Sequence, residues 1–260
     1  MKCKEIISIL ESKWPAAYAL DWDNVGLLVG DKDQDVRHIF VALDVTDETL
    51  QQAIECGADM IITHHPLMFV PMKKIVADDF IGRRIMKMIK YDIAYYAMHT
   101  NFDVKGMADL NALSLNLQES KVLEITSVQG DEIEGIGRVG VLSKEMTLEA
   151  FALYVKECLD LENVRVYGDS DAVIHKAAIS SGSGKGMGKA ALHSGADVLV
   201  TGDVDYHMGI DCVAQGLCVV DAGHYGTEMV FISHVEEQLK MLLPEIIVSV
   251  AKINQPFRVC

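Results

Sequence analysis

The chain reads as an α/β protein built from two similar lobes, each on a largely parallel or mixed sheet. Strand and helix patterns alternate along most of its 260 residues. The run Cys56-Gly57-Ala58-Asp59-Met60-Ile61-Ile62-Thr63 returns in character as Ser194-Gly195-Ala196-Asp197-Val198-Leu199-Val200-Thr201. Ala97-Met98-His99-x-x-x-Asp103, aligned on its alanine, lies over Ala222-Gly223-His224-x-x-x-Glu228. One internal duplication accounts for both repeats. It sets the lobes at 1–128 and 129–260, facing each other across a shared cleft, with the last helix and strand free to pack back on the first lobe.

The elements follow in order. Ile6, Ile7 and Leu10 mark a helix over 3–12. The polar turn 21–24 feeds a short strand at 25–30, and a second strand follows at 38–43. Thr46 or Asp47 caps a helix at 48–56. Met60–Ile62 form a buried strand that ends at His64, His65 and Pro66, since proline has no backbone donor and biases its predecessor away from helix. A helix near 78–90, the strand Ile93–Met98 and a helix at 107–116 complete the first half. Residues 135–142 read as an edge strand or hairpin arm, followed by a helix at 147–159 and a strand at 163–167. The second half then repeats the first: strand 177–181, helix 187–194, strand 198–201, helix 204–214, strand 217–221, helix 227–240 and strand 245–250.

Half of the residues are hydrophobic and about a quarter are charged, which is ordinary globular composition. A net charge of −15 disfavours nucleic acid and anionic membrane surfaces and suits cations. The six cysteines form no CxxC pair, and Cys56 and Cys158 are expected to be buried thiols, which favours a reducing, cytoplasmic setting. No apolar run approaches the ~18–20 residues that span a bilayer.

The chemistry concentrates at strand ends, where open α/β sheets place their ligands. Adjacent strand residues face opposite ways, so His64 and His65 serve one pocket only if the backbone bends, or else each grips a different ion. His224 and Glu228, four apart at a helix start, share a face. Asp103 holds the corresponding post in the first half. Three imidazoles and two carboxylates exceed the needs of one tetrahedral ion with an open position, and match two ions sharing a bridging carboxylate. Nitrogen and oxygen donors suit zinc, manganese, iron or nickel alike. His99 stands as a ligand or as a proton-transfer group, and Asp44 and Asn24 either line the same pocket or serve turns. The glycine-rich run 180–189 departs from both P-loop and dinucleotide spacing and reads as a tight turn.

Together these residues resemble the Nif-three-like dinuclear metal proteins, the GTP cyclohydrolase 1 type 2 homologues. The matching pieces are Trp22-Asp23-Asn24-Val25-Gly26-Leu27, Gly57-Ala58-Asp59 through His64-His65-Pro66, and His99-Thr100-Asn101-Phe102-Asp103. Gly195-Ala196-Asp197 through Thr201-Gly202-Asp203 and Ala222-Gly223-His224 through Thr227-Glu228 follow in the family's order. The resemblance implies two intertwined lobes around a central dinuclear metal cleft and a ring-shaped homohexamer, a trimer of dimers. It implies His64, His65, Asp103, His224 and Glu228 as ligands of two divalent ions, with Glu228 as the bridge. Asp203 stands where many relatives carry glutamate, and its shorter carboxylate has less reach.

Two functions follow as expectations. One is a metal-dependent hydrolase acting on a small molecule or nucleotide with metal-activated water, with His99 carrying the proton. The other is a non-catalytic metal-binding ring that docks protein partners.

Overall fold

Helix α1 (Cys3–Lys13) buries Cys3, Ile6 and Leu10 as one stripe, in a computed structural model that describes residues 1–252 and 255–257. Strands β1 (Gly26–Val29) and β2 (His38–Ala42) follow. Helix α2 (Asp47–Glu55) starts where the Thr46 hydroxyl accepts from the Thr49 N–H at 3.0 Å, which decides for Thr46 between the two caps that the sequence offers. Strand β3 (Met60–Thr63) is buried throughout, and helix α3 (Phe80–Lys90) is capped by Asp79. Strand β4 (Ala94–Ala97) leads into the helical turn α4 (Thr100–Phe102).

The helical path widens into a π turn at Asp103–Met107 and resumes as α5 (Ala108–Ser114). Strands β5 (Gln118–Gln129) and β6 (Glu132–Thr147) form a long antiparallel hairpin. The segment expected as an edge strand or hairpin arm is therefore an arm, and β5 takes the edge. Helix α6 (Leu148–Cys158), strand β7 (Arg165–Tyr167), strand β8 (Val173–Ser183) and helix α7 (Met187–His193) come next. They precede strand β9 (Val198–Gly202), helix α8 (Tyr206–Ala214), strand β10 (Cys218–Asp221) and helix α9 (His224–Glu228). Helix α10 (Val230–Leu242) and strand β11 (Ile247–Val250) are the last regular elements among the described residues.

Spatial clustering gives two compact units, Met1–Phe102 with Phe231–Cys260, and Asp103–Val230. This division rests on contact, whereas the sequence boundary at 128/129 rests on the repeat. The first unit has a five-stranded sheet, β1-β4-β3-β2-β11, parallel except for β1. Phe40, Ala42, Ile61, Tyr95 and Ala97 pack into a core on one face, and Ile39, Val41, Met60 and Ile62 are buried on the other. Both faces are covered, which explains why these strands read as continuous apolar runs. The second unit has a six-stranded mixed sheet, β5-β6-β8-β9-β10-β7, with β8, β9 and β10 parallel. Along its strands Ala177, Ile179, Val198 and Val200 enter one core, and Ala178, Leu199 and Val219 enter another. Two mixed sheets in an α/β chain are the architecture that the sequence predicts.

The repeated Gly-Ala-Asp has a mechanical cause. Gly57 and Gly195 both adopt positive φ, 73° and 71°, which ends the preceding helix at low steric cost. Two residues on, the Asp59 carboxylate accepts from the N–H groups of Arg37 and His38 at 2.7 and 3.0 Å. Asp197 does the same for His175 and Lys176 at 2.9 and 2.8 Å. Each aspartate ties the start of one strand to the neighbouring strand and so fixes the parallel register. The ladders also set the two halves one residue apart from the alanine-based alignment. The Met98 N–H donates to the Thr63 carbonyl and the Ala222 N–H to that of Thr201, so Met98 corresponds to Ala222 and His99 to Gly223.

The thiols expected in the core at Cys56 and Cys158 lie elsewhere: Cys56 is exposed and Cys158 half-buried. Helix α2 ends at Glu55, which leaves Cys56 beyond the packed stripe, while Cys3, Cys212 and Cys218 are buried. Among the described residues, no helix is long and apolar enough to cross a membrane.

Asp59→Ala and Asp197→Ala should each lower unfolding free energy by about 1–3 kcal/mol, because two strand N–H groups lose a charged acceptor. Urea denaturation measures the loss, and wild-type stability in either variant would remove the register argument.

Candidate metal centre

In the first unit β3 stops at Thr63 and the chain bends at His64 and His65. The bend is held from three sides. The hydroxyls of Thr63 and Tyr95 both donate to the His65 carbonyl, at 2.7 and 2.9 Å, and the Leu67 N–H donates to the Tyr95 hydroxyl at 2.8 Å. Burial pushes Tyr95 up to about 12, against smaller opposing effects of the neighbouring Thr63 hydroxyl and the Leu67 N–H, so it remains a neutral donor. The bend removes the strict alternation of a strand. The two imidazoles end side by side with centroids 4.9 Å apart, and His99 lies 5.1 and 5.5 Å from them.

Each of these rings is oriented through Nδ1. The Nδ1 of His64 lies 2.9 Å from the Met98 carbonyl oxygen, which can only accept, so Nδ1 carries the proton and Nε2 the lone pair. The Nδ1 of His65 faces Asp44 Oδ1 at 3.1 Å, and that of His99 faces Asp23 Oδ1 at 2.9 Å. Asp23 also accepts from the N–H and the hydroxyl of Thr100, at 2.9 and 2.5 Å. Burial pushes the Asp23 carboxyl up, but the hydrogen bonds from His99 and Thr100 together outweigh it and hold the group down at about 2. One potential ligand atom from each of His64, His65 and His99 lies within 4.8 Å of the other two. His64 is fully buried and stacks against Phe231, with centroids 5.2 Å apart.

The second unit repeats the device. The Nδ1 of His224 meets Asp203 Oδ2 at 2.7 Å, and its Nε2 lies 3.3 Å from Glu228 Oε1, one turn on along α9. The short Asp203 carboxylate thus reaches its histidine, helped by a left-handed backbone at Asp203 with φ 53°. Glu228 is buried at 3% exposure. Asp103 Oδ1 accepts from the Ser181 hydroxyl at 3.0 Å. The next residue, Gly182, sits so close that a Cβ there would lie 2.5 Å from Glu228 Oε1 and 3.3 Å from His224 Nε2. Buried Asp221 links the two loops: it accepts from Gly223 N–H at 2.9 Å and Val204 N–H at 3.1 Å, and pairs with Arg165.

The residues singled out by sequence therefore gather within each unit, His64, His65 and His99 in the first and His224 with Glu228 in the second. Asp103 is placed by Ser181, on the strand end that also brings Gly182 to Glu228 and His224. Asn24 ties its turn to the loop at Met68, donating to the Met68 carbonyl at 2.6 Å. Sequence reasoning passed over the roles of Ser181, Gly182 and Asp221. Their signal was present in the glycine run and at the strand terminus, but neither has a spacing that announces a ligand shell. A donor set of imidazoles, each with Nδ1 on an oxygen acceptor, together with the buried Glu228 carboxylate and the half-buried Asp103, fits divalent cations.

Comparisons with known proteins identify the family and the fold. The model of the family Duf34/NIF3 (NGG1p interacting factor 3) matches residues 1–256. The chain belongs to this family. A relative from Clostridium perfringens named GTP cyclohydrolase 1 type 2 homolog is 40% identical over 92% of each chain. One of the same name from Clostridium acetobutylicum is 40% identical over 88% of this chain and 85% of its own. The crystal structure of a Bacillus cereus protein related to NIF3 superposes with a TM-score of 0.94 at 30% identity, covering 100% of this chain and 99% of the other. Reduced HcgD from Methanocaldococcus jannaschii gives 0.83 at 31% identity over 97% and 98%. The Duf34/NIF3 fold thus accounts for the two mixed sheets.

Two outcomes test this geometry. Asp23 has a folded-state pKa below its unfolded value, so its contribution is present above about pH 4 and lost as pH falls through about 2. Between those values the wild type should lose about 1–2 kcal/mol more stability than Asp23→Asn, read by denaturation at each pH. Gly182→Ala should weaken divalent-cation binding by about ten-fold or more while the circular dichroism spectrum is retained, because the new methyl displaces the Glu228 carboxylate. Unchanged affinity in calorimetry would show that Gly182 has no part in shaping the centre.

Proposed function

We propose that the protein is a metal-dependent hydrolase of the GTP cyclohydrolase 1 type 2 kind that uses two divalent ions per chain. In this reading His64, His65, Asp103, His224 and Glu228 are the ligands, and His99 carries a proton. The observation that carries it is the shared orientation of four imidazoles, each with Nδ1 on an oxygen acceptor. The names of the relatives support the reaction class, and nitrogen and oxygen donors admit zinc, manganese, iron or nickel.

Cations held there would act as Lewis acids and activate water for attack on an electrophilic carbon or phosphorus. The chain's own residues divide the remaining work. Met98, Asp44 and Asp203 hold His64, His65 and His224 in the tautomer that presents Nε2. Asp23, ionised at neutral pH, holds His99 in the same way and stabilises its imidazolium when Nε2 takes up a proton. Phe102 and Phe231, with centroids 4.8 Å apart, pack beside His64 and keep water from its buried side. A homohexameric ring and a cytoplasmic setting belong to the same proposal.

A second reading, a non-catalytic ring that docks protein partners, draws on the family's description as an interacting factor. Metal analysis of protein loaded with manganese or zinc, with assays against GTP and a phosphoester panel, separates the two. The hydrolase reading expects two ions per chain and turnover that His65→Ala lowers by about a hundred-fold or more. Two ions without turnover would favour the docking ring, and a stoichiometry of one or less would remove the dinuclear claim.

A further inference from the structure

The stretch Asp21-Trp22-Asp23-Asn24 does more than orient His99. Asp23 and Asn24 both point inward to fixed partners, His99 with Thr100 and the Met68 carbonyl respectively. Trp22, between Asp21 and these two, is left 60% exposed, and Phe69, next to Met68, is 50% exposed. Both rings nevertheless stand against His99. The Trp22 and imidazole centroids are 5.9 Å apart with planes at 73°, and those of Phe69 and His99 are 5.7 Å apart at 80°. The 2.6 Å bond from Asn24 to Met68 joins the two loops, so both aromatics are held beside the same imidazole while their remaining surface is open to solvent.

We propose that Trp22 and Phe69 form a stacking subsite for a planar heteroaromatic ring next to His99. This rests on reading His99 as the proton carrier, but it concerns ring binding and does not require a metal. Stacking suits this chain. Its net charge is −15, and Asp21, Asp23 and Asp44 all lie in the loops around His99, so affinity drawn from a π face carries none of the repulsion that an anionic tail would meet. A ring placed there would bring its reacting carbon or its ring nitrogen within reach of His99, and ring identity would be read by flat contact more than by charge. Stacking on aromatic side chains tolerates many bases, so the subsite defines a class of ligand, a nucleobase or a similar flat heteroaromatic ring.

The chain contains two tryptophans, and Trp14 is buried at 4% exposure, 5.2 Å from Phe102. Quenching of the red-edge emission therefore reports on Trp22. Full-length metal-free protein is titrated with guanosine and adenosine, with ribose and tripolyphosphate as ring-free controls. The nucleosides should quench Trp22 saturably and the controls should not. By calorimetry, Trp22→Ala and Phe69→Ala should each raise the guanosine Kd by about ten-fold or more, the size of one lost base–aromatic stack, while Trp22→Phe keeps most of the affinity. Guanosine binding that is unchanged in both alanine variants would overturn the subsite. So would quenching by tripolyphosphate equal to that by guanosine, or an exposed-type Trp22 emission insensitive to every ring. Guanosine binding to metal-free protein is read without turnover, so the subsite can fail while the hydrolase reading stands, and the metal analysis and GTP assay decide that reading separately.

Discussion

The arrangement depends on one small bond repeated four times, an imidazole Nδ1–H given to a fixed oxygen. A histidine ring offers two nitrogens and two flip states, and an unrestrained ring presents its lone pair in no fixed direction. A backbone carbonyl at Met98 and carboxylates at Asp23, Asp44 and Asp203 remove that freedom. Each acceptor is in turn held by the fold: Met98 follows directly on β4, Asp23 is clamped by Thr100, and Asp203 sits on a loop anchored through Val204 to Asp221. In the first unit these oxygens come from three segments, the turn before β1 and the residues just past β2 and β4.

The same economy explains the duplication. A Gly-Ala-Asp turn after a helix does two things in both halves, ending the helix and fixing the neighbouring strand. Once register is set there, the residues just past the strand ends are carried to predictable places. The halves then diverge by a single position. In the first, His99 precedes the helical turn, whereas in the second Gly223 does, and His224 becomes its first residue. That shift places the carboxylate of the second half, Glu228, on the turn that follows its own histidine, while Asp103 is placed by Ser181 instead.

Much of this was legible in the chain. Apolar runs at Met60–Ile62 and 198–200, helix caps at Thr46, and the histidines beside Pro66 are local signals, and local physics settles them. The bend at His64 and His65 was legible only as a condition, because what enforces it, Tyr95, comes from a different strand. Ser181, Gly182 and Asp221 were not legible as site residues. A glycine matters there through what a missing methyl leaves room for, and an aspartate through two N–H groups that are distant in sequence. The one-residue offset was hidden for a related reason: matching alanines is a textual criterion, and the ladder obeys hydrogen bonds.

Strand β11 lies beside β2, although more than half the chain separates them, and the second unit is one unbroken stretch between. On a ribosome, Asp103–Val230 can therefore condense as soon as it emerges, while the earlier-made sheet waits with β2 as a bare edge. At about 5–20 residues per second, the wait from Phe102 to Ile247 is roughly 7–30 s. The sheet begun first is the sheet completed last, and until β11 arrives β2 is an unpaired edge open to pairing with another chain.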